Sequence, residues 1–144
     1  MSGKLNPDVT VVGLDECYQL IKAIRDTVFI VEQGVPSELE WTGDDEKYLH
    51  ILARIRGVAI GTARMSLEGN IGRMAVNKQY RQFGIGSSML RFLISYARDN
   101  LDVSVLFLNS QLHAIPFYEK YHFKCYGESF IDAGIEHIHM RLNI

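Results

Sequence analysis

Between Ile71 and Tyr96 the hydrophobic period changes, and a loop carrying two glycines marks the change. Ile71 to Val76 reads as a strand. After Gly84, the residues Ile85, Met89, Phe92, Leu93 and Tyr96 recur on one face of a helix. A helix with one apolar stripe must bury it, and the strands around it supply a sheet to bury it on. The joint is Arg81-Gln82-Phe83-Gly84-Ile85-Gly86, which runs from the strand directly into the helix. Such a joint makes an anion site. The first N–H groups of a helix lack internal partners, and the helix dipole adds partial positive charge there. Gly84 and Gly86 let backbone approach a ligand without an intervening Cβ. The Arg81 guanidinium is suited to phosphate oxygens.

The rest of the chain fits around that joint. Val9 to Val12 is a short β-branched strand. Asp15 reads as the cap of a helix carrying Leu14, Tyr18, Ile21, Arg25 and Val28, which fades near Gln33-Gly34. Ser37 to Lys47 is acidic and irregular. Strands at Tyr48 to Ile55 and Val58 to Ser66 flank an Arg56-Gly57 turn, and Glu68-Gly69-Asn70 turns into the strand at Ile71. Val103 to Leu108 is apolar but for Ser104, the pattern of a strand covered on both faces. A short helix near Pro116 to Tyr121 and strands at Lys124 to Ile131 and Glu136 to Leu142 complete an α+β pattern with a mixed sheet. Neither linker nor repeat divides it, and 144 residues suit one domain.

Composition narrows the function classes. With 47% hydrophobic and 22% charged residues and a net charge of -2, nothing favours nonspecific binding to nucleic acid or a membrane. No uncharged apolar run reaches the roughly 18 residues of a membrane helix, and the beginning of the sequence lacks a leader pattern. Cys17 and Cys125 stand alone and read as reduced thiols, so the cytoplasm is the expected compartment. His137-Ile138-His139 puts two imidazoles on one strand face, but no third ligand accompanies them, and no metal is expected. The aromatic residues from Phe117 to Phe123, with Tyr126 and Phe130, have no basic patch beside them and read as packing. Two nucleotide sites are excluded: the loop has no Gly-Lys-Ser/Thr ending, and the three-glycine dinucleotide fingerprint is incomplete.

Arg81-x-x-Gly84-x-Gly86 resembles the phosphate-binding motif Gln/Arg-x-x-Gly-x-Gly/Ala of the GNAT superfamily, the Gcn5-related N-acetyltransferases. The resemblance continues upstream through Gly72-Arg73-Met74-Ala75-Val76. Downstream it takes in Asn109, Ala114, Phe117-Tyr118-Glu119-Lys120-Tyr121 and Phe123. It implies the GNAT fold: a single domain, 1-144, with a mixed, mostly antiparallel sheet of about six or seven strands and about four flanking helices. It also implies acetyl-coenzyme A as co-substrate. The pantetheine arm would bond to the backbone of Met74, Ala75 and Val76. The amides of Gln82, Phe83, Gly84, Ile85, Gly86 and Ser87 would cradle the pyrophosphate, with the Arg81 guanidinium beside them. Asn109 would touch coenzyme A, and Tyr118 would be the general acid for the departing thiolate.

Relatives of this kind often carry a glutamate where this chain has Asn70, and an amide takes no proton at neutral pH. The base is therefore open, with Glu32, Glu40 and His50 as tentative acceptor-side residues. The segment from Val31 through Asp45 is similar to small bacterial GNATs of uncharacterised specificity. Its acidic residues suit a cationic amine, such as an amino acid or a polyamine. Three readings stay open: an N-acetyltransferase acting on a small amine or amino acid, a coenzyme A-binding sensor or assembly module without turnover, and a protein lysine or N-terminal acetyltransferase. GNAT proteins often pair, so a homodimer is open as well.

Overall fold

The computed structural model describes residues 3–144; Met1 and Ser2, at the start of the stretch read for a leader, lie outside them. Among the described residues seven strands and four α-helices follow the order anticipated, except that a one-turn helix, Ser37–Glu40, lies in the stretch read as irregular. They are β1 (Asp8–Val12), α1 (Leu14–Arg25), α2 (Ser37–Glu40), β2 (Tyr48–Ile55), β3 (Val58–Ser66), β4 (Ile71–Val76) and α3 (Ile85–Asn100). β5 (Val105–Gln111), α4 (Ile115–Glu119), β6 (Lys124–Asp132) and β7 (Ile135–Asn143) follow. The strands form two antiparallel sheets, β1-β2-β3-β4 and β5-β7-β6. The parallel part of the expected mixed sheet is a single bridge, Asn70 to Phe107, where the two sheets meet.

That meeting point dictates a glycine. Gly69 has φ +96°, and a Cβ there would sit 2.7 Å from the Val105 carbonyl oxygen. Its own carbonyl accepts the Phe107 N–H at 3.0 Å. Beyond the bridge, β4 and β5 part. Thr62 pairs with Ala75 and Arg64 with Gly72, so Arg73 and Met74 together oppose Ala63. This is a β-bulge, and Arg73 takes φ +50° within it. The extra residue bends β4 away and leaves its outer edge unpaired.

α3 lies on the first sheet through Ile85, Met89, Leu90, Leu93, Ile94 and Ala97, all buried. Phe92 and Tyr96, expected on the same face, lie at its margin, half-buried and stacked on one another. Each fully buried Leu or Met contributes roughly 1.5–3 kcal/mol, so this helix anchors the loop before it. Three expectations change. The cap of α1 is Gly13, and Asp15 sits in the first turn, where its charge favours the helix dipole. α1 ends at Arg25 and widens into a π-helical stretch, Asp26–Glu32, before the chain reaches Gly34. β5 starts at Val105 and alternates, with Leu106, Leu108 and Ser110 buried, because its other face lines an open cleft.

Candidate active site

The parted strands open into a cleft of about 320 Å³. Gly72, Arg73 and Met74 form one wall and Leu108, Asn109 and Gln111 the other. Tyr118 from α4 lines it too. So do Phe29 of the π-helical stretch, Leu39 and Glu40 of α2, and Asp132 and Ala133 at the β6–β7 turn. Unpaired strand edges on both sides suit an extended ligand that bonds to backbone as a further strand would.

Tyr118 owes its place to an aromatic wedge. Phe117 and Phe123 meet its ring edge-on, with centroids 5.0 and 5.9 Å away. Burial pushes its phenol up to about 12, so it keeps its proton throughout the neutral range. Asn109 is held by His139, whose Nδ1 lies 2.6 Å from its side-chain oxygen and donates to it. Asn70, at the bridge, also lines the cleft.

The glycine loop is built as its residues require. Gln82 and Gly84 have φ +68° and +84°, two left-handed positions flanking Phe83. The helix opens with Ser88 N–H on the Gly84 carbonyl, so the amides of Ile85, Gly86 and Ser87 precede any helical acceptor. The two glycines differ in kind. Gly84 needs its conformation, whereas a Cβ on Gly86 would meet only the Phe117 ring at 3.5 Å, ordinary contact. Ile85 and Ala75 point into the core. Arg81 is engaged by protein: Nε donates to the Val76 carbonyl at 2.8 Å, and both terminal nitrogens grip Glu32 at 2.8 Å. Glu32 thus braces the loop, and the residues lining the cleft do not include it.

Sequence reasoning missed four residues here. A second cavity, about 290 Å³, opens at the start of α3 between Lys4, Ser87, Ser88, Arg91 and Tyr121. The Leu5 N–H donates to the Phe83 carbonyl at 2.7 Å and lays the amino-terminal segment along the loop. Arg91 stands three and four residues beyond Ser88 and Ser87, a spacing that puts all three on one helix face and was legible in the sequence. Tyr121 and Lys4 arrive by tertiary contact, for which the sequence carries no local signal.

The acceptor-side expectations sort differently. His50 is 2% exposed, with Nε2 donating to the Asp45 carbonyl at 2.8 Å. Burial holds its pKa below the usual imidazole value, against the pull of that carbonyl, and it does not line the cleft. Glu40 does line it, as part of a buried charge network. Arg25 donates through Nε to Glu40 and through Nη1 to Asp45, both at 2.6 Å, and stacks 4.0 Å over the Trp41 ring. Arg64 reaches Asp45 at 2.8 Å, and Arg73 donates to the Leu39 and Glu40 carbonyls. Burial pushes the Glu40 carboxyl up, although Arg73 and Arg25 pull the other way. Burial pushes Asp45 up as well, but the Arg25 and Arg64 contacts overcome it and hold the carboxyl below its usual range.

Among the described residues no cluster of His, Cys, Asp or Glu is arranged to hold a metal ion, and no helix is long and apolar enough to cross a membrane.

Comparison with known proteins agrees with this geometry. The chain is 33% identical over 121 residues to the uncharacterised N-acetyltransferase YjcF of Bacillus subtilis, covering 81% of this chain and 86% of that one. Its fold matches an acyl-CoA N-acyltransferase from Pseudomonas aeruginosa with TM-score 0.79 and 29% identity, over 94% of this chain and 99% of the other. It also matches a GNAT family acetyltransferase from Elizabethkingia anophelis, crystallised with acetyl-CoA bound, with TM-score 0.68 and 17% identity over 98% and 100% of the two chains. Residues 12–144 match the acetyltransferase (GNAT) domain, and the chain belongs to that family.

Proposed function

We propose that this protein transfers an acetyl group from acetyl-coenzyme A to the primary amine of a small molecule or amino acid, by direct attack. The observation that carries the reading is the parting of β4 and β5 beyond the Asn70–Phe107 bridge. It creates a cleft lined by Met74 of β4, the strand that leads to the glycine loop, and by Tyr118 of α4. In this reading the pantetheine arm lies along Met74 to Val76. The pyrophosphate meets the amides from Gln82 to Ser87, with Lys4 and Arg91 beside it. Arg81 contributes by holding the loop against Glu32 and Val76 rather than by touching phosphate. The Elizabethkingia neighbour, a protein of the same fold crystallised with acetyl-CoA, supports the choice of ligand.

The thioester supplies an already activated acyl group, and the protein positions an amine against it. The nitrogen lone pair forms the new C–N bond, and a strand amide near Met74 receives the charge that develops on the carbonyl oxygen. Such a donor is worth roughly 3 kcal/mol. The C–S bond then breaks and sulfur leaves with the electron pair. Tyr118, with its phenol held near 12, is a weaker acid than an ordinary thiol at about 8.5. It stabilises the departing sulfur mainly as a hydrogen-bond donor, and the thiol's proton balances the one the amine loses. Asn70 takes no part in that loss. His137 lines the cleft with Nδ1 donating to the Ile135 carbonyl at 2.7 Å, which leaves Nε2 as the lone-pair nitrogen for the outgoing proton.

The test is thiol release from acetyl-coenzyme A across a panel of amines and amino acids, with intact-mass analysis of candidate proteins alongside. Release that depends on a small amine supports the reading. Coenzyme A binding without release on any acceptor supports a sensor or assembly module, and a mass gain on protein alone supports a protein acetyltransferase.

A further inference from the structure

The buried network beside the cleft is unbalanced. Three arginines, Arg25, Arg64 and Arg73, face two buried carboxylates, Glu40 and Asp45. Asp44 adds only a 3.4 Å contact to Arg64 from a position where its own side chain is 38% exposed. Arg25 is fully used inside, by both carboxylates and the Glu40 carbonyl. The surplus therefore falls on Arg64 and Arg73, and both line the cleft.

Their hydrogen bonding is also incomplete. Arg64 is 7% exposed, yet its Nε has no acceptor. The Nε of Arg73 lies 3.2 Å from Glu40 but in poor alignment, and it too makes no hydrogen bond. Buried guanidinium N–H groups are nearly always paired, so an unpaired set on a cavity wall marks a place for an anion. Gly72 opposes Arg64 in the sheet and lines the same cleft, and a Cβ there would lie 3.9 Å from the Arg64 Nε, so the glycine keeps the wall beside that guanidinium thin. Burial and the nearness of Arg64 and Arg25 both weaken the hold of Arg73 on its charge, with Glu40 pulling back. An added anion would relieve that. The other carboxylate on the wall, Asp132, is exposed at the β6–β7 turn, where solvent screens it.

We infer that Arg73 and Arg64 form the anchor for an anionic group on the acceptor, so that the amine this enzyme acetylates also carries a carboxylate. The inference rests on the acetyl-transfer reading above and names its substrate class. It narrows the expectation of a cationic amine, whether an amino acid or a polyamine, because the buried Glu40 and Asp45 are already held by arginine. Arg73 immediately precedes Met74, and both line the same cleft, so the anchor and the strand edge assigned to the thioester come from neighbouring residues. That spacing suits an amino acid, whose carboxylate and amine are separated by one or a few carbons, over a long polyamine.

The experiment compares each amino acid with its carboxamide, which has the same amine and nearly the same shape. The kcat/KM for the acid should exceed that for the amide by about tenfold to a hundredfold, the range of charge-assisted hydrogen bonds. Arg73→Gln should collapse that ratio towards one, and Arg73→Lys should retain part of it, with coenzyme A affinity unchanged in both. Equal rates for acid and amide in the parent overturn the inference while leaving acetyl transfer intact. A preference that Arg73→Gln leaves untouched overturns it too. Should no acceptor turn over, the acetyl-transfer reading fails separately. Binding of N-acetyl amino acids against their carboxamides, followed by thermal shift of the parent protein, then decides the anchor alone: selective stabilisation by the acids supports it, and none overturns it.

Discussion

The two ends of the cleft are made from different materials. The end proposed for the donor is mostly backbone: an unpaired strand edge, a loop with two left-handed residues and the first turn of α3, with Tyr118 as its one reactive side chain. The end proposed for the acceptor is side-chain charge, folded in from α1, α2, β3 and β4 and mostly buried. Backbone geometry is set by neighbours in sequence, so the donor end is compact and local. Buried charge must be balanced by whatever the fold brings near, so the acceptor end is distributed and sensitive to any one member. The comparison teaches that backbone and buried side-chain charge can share one cleft, with β4 giving its edge to one end and Arg73 to the other.

That contrast can be broken most forcefully at Arg25. Its guanidinium is 1% exposed and holds both buried carboxylates. Arg25→Ala leaves Glu40 and Asp45 without their main partner and should cost about 3–5 kcal/mol in chemical denaturation. Coenzyme A affinity of the remaining folded protein, read by calorimetry at low temperature, should stay near the parent's if the two ends are independent.

A smaller effect is expected from the loop glycines. Gly84→Ala forces a Cβ into φ +84° and should cost about 1–2 kcal/mol, read as roughly tenfold weaker coenzyme A binding. Gly86→Ala places its Cβ 3.5 Å from Phe117 and should change the affinity by no more than about twofold to threefold. Equal losses at both positions would mean that ligand proximity, not backbone conformation, governs the loop.

The donor end was largely legible. Arg81 to Gly86 lies between a strand and a helix that periodicity alone delimits, and the placement of β2, β3 and β4 followed from local turns. Even there, the partner of Arg81 was hidden, because Glu32 is 49 positions away in sequence. The acceptor end was not legible. The acidic residues from Glu38 to Glu46 read as a solvated loop, whereas Glu40 is 2% and Asp45 6% exposed. Their arginine partners lie 15 to 33 positions distant, and no periodic signal connects them. The resemblance implies a bulge in the strand before the loop, but its place at Arg73 is visible only in the pairing of β4 with β3.

The smallest effect concerns pH and His50. Its folded pKa is depressed by burial, so the unfolded chain takes up a proton near the ordinary value of about 6.5 while the folded chain resists it. Stability should therefore be full above pH 6.5 and fall as pH drops below it. His50→Gln should flatten that slope in thermal melts between pH 7.5 and about 5 without altering activity at neutral pH.

The central claim is that backbone holds the donor while Tyr118 assists its turnover, and Tyr118→Phe tests it most directly. The substitution removes one hydroxyl from a ring that keeps its contacts with Phe117 and Phe123. Coenzyme A affinity by calorimetry and kcat by thiol release should be measured on the same preparation. The account predicts an affinity within about twofold of the parent and a kcat lower by about 10²-fold or more. An unchanged kcat, or a loss confined to coenzyme A binding, would contradict it.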